Sequence, residues 1–119
     1  MKSYPISPVA KPRMTKRDKW KRRPCVVRYW EFKDACREQG VTVENGDHII
    51  FYVPMSSSWS KKKKALWNQT PHQNRPDVDN LLKGLLDIFE EDCTIYDVRV
   101  TKIWAYAGAI EIKPIGEKQ

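Results

Sequence analysis

Between residues 79 and 91, the apolar side chains Leu81, Leu82, Leu85, Leu86, Ile88 and Phe89 recur so that they fill one contiguous arc when plotted at about 100° per residue. Asn80, Lys83, Gly84, Asp87, Glu90 and Glu91 fill the other arc. Such a segment buries its apolar arc only as a helix lying on a second layer, so it constrains the chain more than any other stretch. Asp79 is placed to open this helix as its N-cap.

The second layer is a small sheet. His48 to Val53 is a β-branched and aromatic run closed by Pro54, and reads as a largely buried strand. Val98 to Tyr106 and Ala109 to Ile115 read as two strands joined through Gly108 in a final hairpin, and Tyr4 to Val9 as a short first strand. Cys25 to Glu38 forms an amphipathic helix with Val26, Tyr29, Trp30, Phe32 and Cys36 on its packed side and Gly40 as its stop. Asn45-Gly46 reads as a simple turn rather than the tip of a hairpin with 41–43. The connection 55–76 is long for a small domain and hides a short helix. Ser58 would cap that helix, with Trp59, Leu66 and Trp67 on one face and Lys61, Lys62, Lys63 and Lys64 on the other. The order strand, helix, strand, helix, strand, strand predicts an α/β (α+β) domain. Its mixed sheet has about four strands packed with two main helices, and a parallel pair wherever a helix makes the crossover.

A chain of 119 residues suits one such domain. With 31% charged residues and a mean hydropathy of −0.69, no stretch reads as a membrane span. No secretory signal stands out in residues 1–10, so a cytoplasmic location is expected. Cys25, Cys36 and Cys93 lack C-x-x-C spacing and are not clustered with His48 or His72, which argues against a disulfide framework and against zinc. Nothing in the sequence calls for a small organic cofactor.

The net charge of +7 is unevenly spread. In a basic loop spanning 10–24, Lys11, Arg13, Lys16, Arg17, Lys19, Lys21, Arg22 and Arg23 stand against Asp18 alone, a local +7. Lys61 to Lys64 make a second basic run. Residues 77–97 reverse the sign: Asp77, Asp79, Asp87, Glu90, Glu91, Asp92 and Asp97 face only Lys83, a local −6. Basic segments beside concentrated carboxylates suit phosphate contact, with affinity falling steeply as salt rises. Among the tryptophans of these segments, Trp59 and Trp67 read as packing anchors, and Trp20 stays open between packing and stacking on bases.

Within the acidic segment, Pro76 favours extended backbone before it, and alternate residues of an extended chain project the same way, so Asp77 and Asp79 can converge. Inside a helix they would point roughly 200° apart, so convergence requires a helix that begins at or after Asp79. Lys83 lies one turn beyond Asp79 on the same face. The plainer alternative is a helix cap and an exposed ion pair worth at most about 1 kcal/mol. A calcium loop is excluded, because Leu81 and Leu82 stand where it needs an oxygen ligand and a glycine. Asp87 reads as a surface ion-pair partner and Asp97 as shaping a strand entry, while Glu91 is undecided.

Two stretches carry a resemblance: Arg75-Pro76-Asp77-Val78-Asp79-Asn80-Leu81-Leu82-Lys83-Gly84-Leu85-Leu86-Asp87, and Glu91-Asp92-Cys93-Thr94-Ile95-Tyr96-Asp97-Val98-Arg99-Val100-Thr101-Lys102. They resemble the RusA family of Holliday junction resolvases, whose pattern is D-x-D-N-L-x-K at a helix start and, after the helix, paired acids leading into a strand. The resemblance implies that Asp77, Asp79 and Asp92 are metal ligands, for Mg²⁺ or alternatively Mn²⁺, and that Lys83 is the catalytic lysine. Residues 11–20 and 54–64 are similar to those of prophage-borne members. Glu91 departs from a frequent family aspartate, and 71–76 is less basic than in some members.

The activity implied is structure-selective endonuclease cleavage of branched, four-way DNA. Lys11, Arg13, Lys16, Arg17, Lys19, Lys21, Arg22, Arg23, Lys61, Lys62, Lys63, Lys64 and Arg75 would contact the DNA. A homodimer is expected, because two symmetric cuts call for two sites related by a twofold axis. Lys83, charged beside carboxylates, suits phosphate stabilisation rather than general-base work. The competing readings are a non-catalytic basic DNA-binding module and an accessory protein whose lysines bind acidic partners.

Overall fold

The computed structural model describes residues 2–13, 23–89 and 92–114. Its elements in chain order are β1 (Lys2–Tyr4), α1 (Pro24–Glu38), β2 (His48–Pro54), α2 (Lys61–Trp67), α3 (Val78–Leu86), a 3₁₀ turn (Asp92–Thr94), β3 (Arg99–Ala105) and β4 (Ala109–Lys113). This is the expected α+β class with a four-stranded mixed sheet, in the order β1-β4-β2-β3.

β2 is central because its Ile49, Ile50 and Phe51 are buried in succession, which requires cover on both faces. It runs parallel to β3 and antiparallel to β4. The parallel pair is the one whose crossover contains α2 and α3, as the sequence predicts. The final hairpin is not formed: β4 pairs with β2 and β1, not with β3. One edge of β3 lies against β2, and residues 69–72 occupy the other. Gln69 N donates to Trp104 O, Trp104 N to Thr70 O and His72 N to Lys102 O, all within 2.9–3.0 Å. No edge is left for a hairpin partner, so residues 106–108 carry the chain across to the far side of β2.

The core lies between the sheet and a helical layer, where Tyr29, Phe32 and Cys36 of α1 and Leu81 and Leu85 of α3 meet Ile49, Phe51, Ile110 and Ile112. The opposite sheet face is more polar, with His48 Nε2 2.8 Å from Thr101 Oγ1. Several local expectations shift. The first strand is Lys2–Tyr4 rather than Tyr4 to Val9, since Pro5 and Pro8 lack the N–H that extending it would need. Trp30, assigned to the packed side of α1, is 36% exposed. α2 is capped by Ser60, whose Oγ accepts from Lys63 N at 3.1 Å, and not by Ser58.

Leu66 is 74% and Trp67 41% exposed, so α2 does not bury the face proposed for it. It is a single short helix of about two turns, and Trp59 lies ahead of it. Gly84, assigned to the polar arc of α3, is buried: a Cβ there would lie 2.5 Å from Val9 O and 3.3 Å from Lys11 N. The absent side chain lets residues 9–11 cross directly over α3. No helix among the described residues is long and apolar enough to cross a membrane.

Candidate active site

The D-x-D pair straddles the start of α3. Asp77 is the N-cap, extended at φ −68° and ψ 151°, and its carbonyl accepts from Asn80 N and Leu81 N at 3.1 Å. Asp79 sits inside the first turn, so the helix begins one residue earlier than Asp79 and the stated condition for convergence is not met. The cause is that the Asp77 carbonyl takes up the first helical hydrogen bonds. The Asp77 side chain makes no capping hydrogen bond. Both acids are exposed and sit at the positive end of the α3 dipole.

Lys83 is exposed in the last turn of α3, one turn beyond Asp79. The helix stops at Leu86 with Asp87 as its C-cap, short of the Glu91 end expected, and Glu90 and Glu91 fall outside the described residues. Asp92 opens the 3₁₀ turn, and its side chain also falls outside the description. Among the described residues, no three His, Cys, Asp or Glu side chains cluster so as to hold a metal. As a donor set, Asp77 and Asp79 offer exposed carboxylate oxygens. These hard ligands suit an ion such as Mg²⁺, which keeps several waters and takes only about one or two carboxylates.

Three tertiary supports hold α3 and its approach, and their particular partners were not read from the sequence. Lys102, mid-strand in β3, donates through Nζ to Asn74 O at 2.5 Å and Pro76 O at 2.8 Å, tying down the loop that leads into Asp77. The available signal was a lysine in the middle of a strand pattern, between Thr101 and Ile103. Residues 75–77 and Asn80 wall an open hollow at the head of α3. The Arg75-Pro76 bond at its rim is cis.

The second support is the root of the basic loop. Lys11 N donates to Asn80 O at 3.3 Å, and Arg23 Nη2 donates to Arg13 O at 2.8 Å. The backbone that leads into the basic segment therefore lies against the first turn of α3, and Arg23, at the far end of that segment, is tied to Arg13. Lys16, Arg17, Lys19, Trp20, Lys21 and Arg22 fall outside the described residues. Lys61 to Lys64 lie on α2, and Arg75 borders the hollow next to Asp77.

The third support is Asp87. Its Oδ2 accepts from Tyr29 Oη at 2.6 Å and Lys33 Nζ at 3.2 Å, and its Oδ1 from Lys11 Nζ at 3.2 Å. Asp87 is thus an ion-pair partner, as read, but with Lys11 and Lys33 of other segments. Burial works to raise its pKa; the hydrogen bonds from Tyr29, Lys33 and Lys11 outweigh that and hold it below its ordinary value. Burial, then the Asp87 hydrogen bond, push the Tyr29 phenol upward. Asp97 is held through its backbone, with its carbonyl accepting from Gly46 N at 2.6 Å and its N–H donating to Asn45 Oδ1 at 3.3 Å.

These observations define a small basic α+β domain in which a carboxylate-bearing helix start and the root of a basic loop share one turn of helix. The family model of endodeoxyribonuclease RusA matches residues 5–113, and the chain belongs to that family. The uncharacterized protein YqaN of Bacillus subtilis (strain 168) is 32% identical over 73 residues, which cover 54% of this chain and 51% of that protein. The chain thus spans about half the length of the curated relative it matches. No solved structure matches it.

Proposed function

We propose that this chain is a Mg²⁺-dependent, structure-selective endonuclease that resolves four-way DNA junctions. In this reading it acts as a homodimer in the cytoplasm during recombination or phage DNA processing, with Mn²⁺ as an alternative ion. The observation that carries the reading is the hydrogen bond from Lys11 N to Asn80 O, which roots the basic loop on the turn bearing Asp77 and Asp79. A strand gripped by that loop runs past the carboxylates.

In this reading Asp77, extended at the N-cap and so outside the helix, would hold the ion together with Asp79 of the first turn and Asp92. When bound, the ion supplies Lewis-acid polarisation of the scissile phosphate. Lys83 presents a fixed positive charge one turn from Asp79 and stabilises the charge that develops on the phosphate. Lys102 keeps the lead-in loop in one conformation, so Asp77 does not have to be ordered at each turnover. Lys11, Arg13, the rest of the basic loop, Lys61 to Lys64 and Arg75 contact backbone phosphates and orient the arms. A twofold dimer supplies the second cut with matching symmetry.

The test is incubation of a synthetic four-way junction with Mg²⁺ and either wild type or Asp79→Asn. Paired nicks with wild type, and an intact but still bound junction with the variant, are expected. Binding without cleavage by wild type sinks the enzymatic reading in favour of a non-catalytic binding module. Equal cleavage of linear duplex removes junction selectivity while leaving a nuclease.

A further inference from the structure

On the α2 side of the sheet, Trp59, Trp67 and Trp104 wall a pocket of about 190 Å³, rimmed by Lys63, Gln73 and Asn74. Trp104 is its floor, 8% exposed and braced by the buried His72 ring at a centroid distance of 4.3 Å. Trp59 leans on Trp104 at 4.9 Å and 49°, and the Lys63 ammonium stands 4.0 Å from the Trp59 ring centre. Lys63 and Trp67 are one turn apart on the same face of α2, and Trp67 stays 41% exposed. The exposed face of Trp67 is continuous with the partly exposed Trp59 and the recess over Trp104, and a contiguous apolar surface of this kind marks a binding site. The volume is below the roughly 300–1,000 Å³ of sites that enclose a drug-sized molecule, and suits one planar ring.

The geometry points to a nucleobase subsite, in which one unstacked DNA base enters between the tryptophans while the phosphates on either side lie on the α2 lysines. Aromatic faces accept any base, and the Gln73 and Asn74 amides carry donors and acceptors for its edge. The charge argues for DNA over the other usual guest of aromatic grooves, a proline-rich peptide. From residue 54 to 76 there is no Asp or Glu, while four consecutive lysines and Arg75 line the way.

The pocket is also tied to the proposed active site. The same loop walls both recesses: its residues Gln73 and Asn74 rim the pocket, and Arg75, Pro76 and Asp77 border the hollow at α3. Asn74 and Asp77 lie no more than about 11 Å apart along the backbone, about three stacked nucleotides. A captured base would therefore set which phosphodiester meets the carboxylates. That consequence rests on the proposed nuclease reading; the base subsite does not.

The experiment is fluorescence anisotropy of a labelled oligothymidylate, beside a blunt duplex of equal length, titrated with the full chain in EDTA. Trp67→Ala is expected to raise the single-strand Kd by about 5- to 140-fold, equivalent to about 1–3 kcal/mol of stacking, with under about twofold change on duplex. Trp67→Phe should recover most of the loss, since it keeps a ring. If Trp67→Ala does not fold, Lys63→Glu is read instead and should weaken single-strand binding more than duplex binding. No loss on single strand, equal loss on both DNAs, or competition by a proline-rich peptide but not by oligothymidylate overturns the subsite. Junction cleavage separates the two ideas: normal cleavage with no Trp67 effect refutes the subsite alone, and Trp67-dependent strand binding without cleavage refutes the nuclease alone.

Discussion

Replacing Asp87 by alanine removes a carboxylate that closes the seam between α1, α3 and the root of the basic loop. Tyr29 is 1% exposed, and its hydroxyl, now 2.6 Å from the partly exposed Asp87, loses its acceptor. An orphaned buried donor costs about 1–3 kcal/mol. The ion pairs with Lys33 and Lys11 are partly exposed, with lysine side chains 19% and 41% accessible, and contribute about 0.2–1 kcal/mol each after solvent screening. A carboxylate at a helix C-terminus opposes the dipole by about 0.3–1 kcal/mol, which its removal returns. The net expectation is a loss of about 2–3 kcal/mol in urea unfolding at neutral pH with an unchanged m-value.

Tyr29→Phe alone should cost about 1–2 kcal/mol, by removal of a hydrogen bond to a charged group. In the double variant no buried hydroxyl is left unpaired, so its cost should fall short of the sum of the singles by about 1–2 kcal/mol. Additivity within about 0.5 kcal/mol would show that the Tyr29–Asp87 contact carries no energy, and the reasoning would fail. The cycle also separates Asp87 from the proposed chemistry, because Asp87→Ala assayed well below its melting temperature should still nick a junction. Asp87 is held below its ordinary value near 3.8, so its contribution is present above that value. It fades as pH falls through the lower folded value, and this acid-side loss should be absent in Asp87→Ala.

Asp79→Asn should abolish Mg²⁺-dependent cleavage while costing at most about 1 kcal/mol in stability, since an exposed acid in the first turn contributes only its dipole interaction; a large drop in melting temperature would contradict this. Gly84→Ala sets about 1 kcal/mol of helix propensity gained against about 1–3 kcal/mol of overpacking on Val9 and Lys11. A stabilised variant in chemical denaturation would show that residues 9–11 do not press on α3. Burial and neighbouring cations hold His48 and His72 below the usual histidine value of 6.5, so both favour the neutral ring in the folded state. Stability is then full above about pH 6.5 and falls as pH drops toward the lower folded values; a melting temperature flat from pH 7 to about pH 5 would refute this. Lys102→Met should lower cleavage more than junction binding, read as a kcat loss at little-changed Kd, because it frees the loop before Asp77.

The layers of the domain were legible in local sequence patterns. The apolar arc of 81–89 and the uninterrupted His48 to Val53 run are local patterns, and α3 and β2 occur where those patterns lie. Which edges pair and which polar groups meet depends on packing between segments far apart in the chain. β4 crosses β2 because residues 69–72 already hold the outer edge of β3, and no window around Gly108 contains that information. α3 starts at Val78 because the Asp77 carbonyl takes the first helical hydrogen bonds, a choice among neighbouring caps that differ by little in energy. Asp87 found Tyr29, Lys33 and Lys11 in place of the nearby Lys83, since partners 54 to 76 residues away become neighbours only once the helices pack. Periodicity reports the burial of a segment against an average environment, whereas hydrogen-bond partners depend on which particular segment supplies that environment.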